Sequence, residues 1–81
     1  MDYHRTYVSV RADFDEEGGI LPRSLTLRDR VFSIDRVLCR RPAPALKAGG
    51  QGMRYTVRIG GQETFLFQDE NNRWFVEEKA L

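Results

Sequence analysis

The sequence predicts an all-β protein, a small six-stranded antiparallel SH3-like barrel or strongly curved sheet. Three observations favour this fold class. Apolar and polar residues alternate with a period of two along several short segments, turn-forming residues separate these segments at regular intervals, and no window keeps a helical period. The 81 residues are enough for one domain. We expect a disordered N-terminal tail over residues 1–6 and a single barrel domain over residues 7–78.

The first two strands are expected over residues 7–14 and 20–27. The first has one apolar face, formed by Val8, Val10, Ala12 and Phe14. An acidic, glycine-containing turn follows at residues 15–19, where glycine permits positive φ. The second strand has Leu21, Leu25 and Leu27 on one side, and Pro22 places its beginning at a sheet edge or strand entry.

A third strand is expected over residues 31–41, followed by a long loop over 42–52. Ile34 and Val37 are three residues apart, a spacing that a regular strand cannot place on one face. A β-bulge near Asp35 and Arg36 would turn both toward the core and bend the sheet. The 42–52 segment is rich in proline, glycine and small residues, which argues against a regular element there.

Residues 53–59 and 62–68 are expected to form a hairpin around Gly60-Gly61, and residues 73–77 a last strand. A two-residue loop would pair Arg58 with Glu63. A three-residue loop with a glycine bulge would instead leave only Leu66 outside and gather the other large apolar residues on one face: Tyr55, Val57, Ile59, Phe65 and Phe67. We favour the second register because it buries more apolar surface.

Charge is distributed unevenly, although 13 basic residues nearly balance 12 acidic ones. Residues 36–62 contain no acidic residue and six basic ones, namely Arg36, Arg40, Arg41, Lys47, Arg54 and Arg58. A basic stripe beside a glycine-rich loop is typical of surfaces that follow phosphates, with neighbouring aromatic residues available to stack on bases. The alternative is a solvated face whose arginines pair with acids on neighbouring strands.

The sequence offers no catalytic constellation, so we do not expect an enzyme, a cofactor or a metal. Cys39 is the only cysteine and His4 the only histidine, which excludes an intrachain disulfide, a cysteine-based zinc site and a histidine-containing triad. Cys39 lies in an expected strand, and we predict that it is buried and reacts poorly. Few cysteines, no signal-like stretch and no long apolar run predict a cytoplasmic protein without a membrane partner.

Three segments carry a family resemblance: residues 34–38 (IDRVL), residues 46–55 (LKAGGQGMRY) and residues 73–77 (RWFVE). Together they resemble a family of short uncharacterised bacterial proteins of the clostridial type, to which no activity is assigned. The resemblance spans nearly the whole chain and implies no catalytic or binding residue. More loosely, the chain is similar to small bacterial β domains associated with translesion DNA polymerases, an analogy that favours nucleic-acid contact slightly.

These observations favour a non-enzymatic binding module. The expected partner is single-stranded nucleic acid, contacted through the basic segment 36–58. The alternative is a protein–protein interaction module or a homodimer that uses an edge strand or the 42–52 loop. The expected state is a monomer or a weak homodimer.

Overall fold

A computed structural model describes residues 3–42 and 52–79, which form a curled antiparallel sheet in the shape of a half-barrel. The seven strands are β1 (Tyr3–Phe14), β2 (Ile20–Leu27), β3 (Arg30–Ser33), β4 (Arg36–Pro42), β5 (Gly52–Ile59), β6 (Gln62–Asp69) and β7 (Trp74–Lys79). Their order in the sheet is β3-β2-β1-β7-β6-β5-β4. The all-β, strongly curved fold is therefore confirmed, with seven strands instead of six. Over the described residues, the chain forms no helix of the length and apolarity needed to cross a bilayer.

The long strand β1 joins the two halves of the sheet. Its first half, up to Val8, pairs with β7, and its second half, from Ser9, pairs with β2. The β1–β2 ladder contains a register shift between Arg11 and Ala12, and a bulge of this kind bends the sheet and increases its twist. β1 also begins at Tyr3 instead of the expected residue 7. Residues 3–6, expected to belong to a disordered tail, pair with β7 and extend the strand.

The predicted third strand is in fact two strands, which lie at opposite edges of the sheet. Ile34 and Asp35 connect them: the Ile34 N–H donates to the Arg23 carbonyl at 2.8 Å, and the Asp35 N–H donates to the Arg58 carbonyl at 2.8 Å. This short connection brings the two edges of the half-barrel together. Ile34 is buried and Val37 packs against the same cluster, as the sequence predicts. The bulge lies between Val37 and Cys39, however, and not near Asp35 and Arg36.

The inner face of the sheet holds the main core. Its buried members are Leu25, Ile34, Tyr55, Val57 and Leu66, and half-buried residues from β1, β2 and β7 pack against them. A second, smaller cluster consists of Phe67 and Phe75. Both phenylalanines lie on the opposite side of the sheet, here called the outer face. The protein therefore buries apolar residues on both faces of the same strands.

The favoured hairpin register is wrong, and the two-residue loop is the one observed. Arg58 pairs with Glu63, while Gly60 and Gly61 adopt φ values of 58° and 81°. Two consecutive positive φ angles give a turn whose twist matches the flanking strands, and glycine adopts them without steric cost. In this register the Leu66 side chain points into the main core. Phe67 is buried nevertheless, because the outer face has its own aromatic cluster.

Candidate nucleic-acid interface

Five of the six predicted basic residues lie in the described part of the chain. Lys47 lies outside it, as do residues 43–51 of the predicted loop. The outer face carries Arg36, Arg41, Arg54 and Arg58, whereas Arg40 lies on the inner side. The structure thus brings four of the predicted residues together on β4 and β5 and separates the fifth.

Strand alternation explains how β5 presents its arginines. Tyr55 and Val57 are buried in the core, so Arg54 and Arg58 must point to the opposite face. On β4, the bulge at Leu38 sets the phase. It places Cys39 opposite Thr56, followed by Arg40 opposite Tyr55 and Arg41 opposite Arg54. Directly opposed residues share a face, so Cys39 and Arg41 project outward while Arg40 projects inward.

Two pairs of arginines face each other directly across β4 and β5. Arg36 is the register partner of Arg58, and Arg41 is the register partner of Arg54. Directly opposed side chains have Cβ atoms about 5 Å apart, and like charges in this position repel each other. Along β5 the two pairs are four residues apart, which corresponds to about 14 Å. The outer face therefore carries two concentrated positive charges, here called the arginine pairs.

Local carboxylates compensate this charge only slightly. Arg58 Nη2 lies 3.5 Å from Glu63 Oε2, but both side chains are largely exposed, so the ion pair contributes little. Among residues 3–42 and 52–79, no carboxylate lies within ion-pair distance of Arg36, Arg41 or Arg54. The buried Nε of Arg54 has no hydrogen-bond partner. The arginine pairs thus keep most of their charge available to an anion.

A continuous row of side chains extends from one arginine pair across the sheet. The register links one residue from each of five neighbouring strands: Arg41, Arg54, Phe67, Phe75 and Tyr7. The Phe67 and Phe75 rings are stacked, with centroids 5.1 Å apart and an interplanar angle of 9°. Tyr7 meets Phe75 edge-on at 5.7 Å. The second apolar cluster, Phe67 and Phe75, lies in the middle of this row.

Guanidinium groups cover much of this aromatic row. Arg5 lies 4.7 Å from the centroid of Phe75, and Arg73 lies 3.8 Å from the centroid of Tyr7. Such contacts shield an aromatic ring from water while leaving the cation at the surface. The outer face therefore combines buried rings with a layer of arginines.

Phe65 lies on β6 at a position between the two arginine pairs. It is the register partner of Thr56, which lies midway between Arg54 and Arg58 on β5. Arg54 lies 4.7 Å from the centroid of its ring, and 39% of the residue is exposed. The three-residue loop favoured from the sequence places Phe65 in the core. The two-residue loop, the register that was not favoured, would have placed it beside the arginines.

Arg40 has a structural role, which corrects its assignment to the basic surface. Its Nη1 donates to the Ile20 carbonyl at 3.0 Å, and its Nη2 lies 3.1 Å from Asp15 Oδ2. The guanidinium rests directly on Gly19, where any Cβ atom would collide with it. These contacts tie edge strand β4 to the turn between β1 and β2, and so help to hold the half-barrel closed.

The Asp15 side chain stabilises the same turn through hydrogen bonds to its backbone. Its Oδ1 accepts hydrogen bonds from the Gly19 N–H at 2.7 Å and the Glu17 N–H at 2.9 Å. The hydrogen bond from the Gly19 N–H, and to a smaller extent the one from the Arg40 guanidinium, lower the pKa of the Asp15 carboxyl below its ordinary value.

Nowhere in 3–42 and 52–79 do three or more histidine, cysteine, aspartate or glutamate side chains gather in a way that could hold a metal ion.

Cys39 is exposed, so the prediction that it is buried is wrong. The cause is the bulge at Leu38, which shifts the following residues by one position relative to β5 and turns Cys39 outward. The thiol lies on the outer face between the two arginine pairs. It marks the centre of the candidate interface.

No protein-family model, curated protein or solved structure matches this chain. The resemblance to a clostridial-type family therefore stays a prediction.

Proposed function

We propose that this protein is a non-enzymatic module that binds nucleic acid through the outer face of β4, β5 and β6. The phosphate contacts are assigned to the two arginine pairs, Arg36 with Arg58 and Arg41 with Arg54. We place the module in the cytoplasm, because one cysteine in 81 residues fits a reducing compartment.

The observation that carries this proposal is the direct opposition of arginines in both pairs. Two arginines whose Cβ atoms are about 5 Å apart place like charges next to each other, and these charges repel in the free protein. A phosphate bound between them replaces that repulsion with charge-assisted hydrogen bonds, and the planar guanidinium suits phosphate oxygens. The cost of the arrangement in the free protein thus becomes a gain on binding.

The chemistry of these groups fits binding better than catalysis. Arginine stays protonated throughout the physiological pH range, so the pairs can neutralise phosphates but do not transfer protons at neutral pH. Contacts of this kind bind the backbone of a nucleic acid without distinguishing its bases. We therefore expect binding that depends strongly on salt and weakly on sequence.

Fluorescence anisotropy with a labelled oligonucleotide at several salt concentrations tests the proposal. Replacing one arginine of each pair, Arg36→Ala with Arg41→Ala, should flatten the log–log salt slope by about 1.4 for a single strand. The control is Arg11→Ala with Arg23→Ala, which removes the same charge from exposed positions on β1 and β2 and should leave the slope nearly unchanged. Absence of wild-type binding at about 50 mM salt and micromolar protein would end the proposal.

Cys39 provides a second, independent measurement on the unmodified protein. It is the only thiol in the chain and lies between the arginine pairs. A bound oligonucleotide should slow its alkylation, with a concentration dependence that matches the anisotropy curve. Alkylation at an unchanged rate under saturating oligonucleotide would place any binding elsewhere on the molecule.

A protein–protein contact through an edge strand is the second candidate function. Val31 lies on edge strand β3 and is 69% exposed, and no strand within residues 3–42 and 52–79 pairs with the outward side of β3. Light scattering over a range of protein concentrations tests this candidate. A dimer that is lost on Val31→Lys, combined with no oligonucleotide binding, would favour it over the nucleic-acid proposal.

A further inference from the structure

We infer that Phe65 and the Arg54 guanidinium form a stacking site for one unpaired base. This inference rests on the proposed function and narrows it to single-stranded nucleic acid. It adds base stacking to the phosphate contacts of the outer face, and Arg54 takes part in both.

The contrast between two neighbouring phenylalanines carries the argument. Phe67 is only 2% exposed, because it stacks on Phe75 within the second cluster. Phe65 meets Phe67 at 6.4 Å and at a steep angle of 68°, and more than a third of it stays accessible. Contact with Phe67 therefore holds the Phe65 ring in place, and part of the ring surface stays accessible to a ligand.

Arg54 adds a second planar group at the Phe65 ring, on which a base could also stack. Its guanidinium lies over one face of the Phe65 ring, 4.7 Å from the centroid. Unpaired bases stack on aromatic rings and on guanidinium planes, each such aromatic contact being worth enough to raise affinity several-fold or more. With the guanidinium over one face of the ring, a base can stack on the open face of Phe65 or on the outward plane of the guanidinium.

The position of Phe65 fits a single strand that follows β5. The ring projects from the β6 position opposite Thr56, about 7 Å along the strand from each arginine pair. A single-stranded nucleic acid whose phosphates contact both arginine pairs would pass directly beside the Phe65 ring and could stack one base on it. A base inside a duplex cannot do this, because its faces are covered by its neighbours in the stack.

The experiment compares a single strand of about 12 nucleotides with a duplex of the same length, by anisotropy at one salt concentration. Phe65→Leu should weaken single-strand binding by at least about fivefold and should leave duplex binding unchanged. Phe65→Tyr retains the ring and should bind nearly like the wild type. The matched control is Phe14→Leu, which removes an aromatic ring that is 73% exposed at the far end of β1.

Each outcome separates the stacking site from the proposed function. Single-strand preference that is lost in Phe65→Leu, but kept in Phe65→Tyr and Phe14→Leu, supports the stacking site. Equal binding of duplex and single strand, unaffected by Phe65→Leu but weakened by the arginine double variant, overturns the stacking site and leaves the proposed function standing. Absence of binding to either probe overturns both. Circular dichroism of each variant checks that the sheet is intact.

Discussion

The hairpin register makes a strong prediction about two adjacent residues on β6. Leu66 is fully buried in the main core, whereas Phe65 lies on the outer face and is 39% exposed. Truncating a fully buried leucine to alanine costs about 3–5 kcal/mol, because the apolar contacts are lost and a cavity remains. Phe65→Ala should cost only about 1–1.5 kcal/mol, mainly the cation–π contact with Arg54 and part of one ring's burial.

The total stability of the domain sets the scale of this effect. A chain of 81 residues is expected to be stable by about 4–12 kcal/mol, so Leu66→Ala removes a large fraction of it. With a urea m-value near 1 kcal/mol/M, the midpoint should fall by about 3–5 M, against about 1–1.5 M for Phe65→Ala. Complete unfolding of Leu66→Ala in buffer would agree with the same argument.

Urea titration followed by Trp74 fluorescence measures both variants, since Trp74 packs against the main core. The volume-conserving variant Leu66→Met serves as the control and should lose less than about 1.5 kcal/mol. If Phe65→Ala proves as costly as Leu66→Ala, the register is wrong and Phe65 belongs to the core. The arginines of β5 would then need a new placement as well.

Three further predictions follow from the turns and the outer face. Asp29 has a φ of 65° in a tight turn, so Asp29→Gly should raise the free energy of unfolding by about 0.5–1 kcal/mol, measured in urea. Hydrogen bonds from Arg28 and Thr6 lower the pKa of Glu78. The free energy of unfolding should therefore decrease as the pH drops below about 4.5, and it should decrease less steeply in Glu78→Gln. Thermal melts across that pH range test this. Cys39 should react with a thiol reagent without denaturant, and stoichiometric labelling only after unfolding would contradict its exposed position.

The strands that the sequence predicts best are those bounded by strong local signals. β2 has the expected bounds, Ile20–Leu27, because turn residues border it on both sides. The hairpin of β5 and β6 also lies within one residue of expectation, owing to Gly60-Gly61. The division of the predicted third strand is different. Its two parts pair at opposite edges of the sheet, and local alternation contains no information about pairing partners.

The error in register has a specific physical cause. The choice between the two loops assumed one buried face, so collecting the most apolar residues on that face appeared to be optimal. The structure instead buries Phe67 and Phe75 on the outer face beneath arginine side chains. Long arginine side chains can cover apolar rings, and this possibility is invisible to a pattern that counts arginine as polar.

The same limitation applies to the basic segment, where a single bulge decides the role of each arginine. If β4 alternated regularly through Leu38, with no bulge, Cys39 and Arg41 would point inward and Arg40 outward. With it, Arg40 reaches Asp15, which is 25 positions away in sequence, and Arg41 joins Arg54 on the outer face. Counting charges along the chain treats these neighbouring arginines as equivalent. Their separation into a structural clamp and a candidate phosphate contact follows from the pairing register, which only the folded sheet defines.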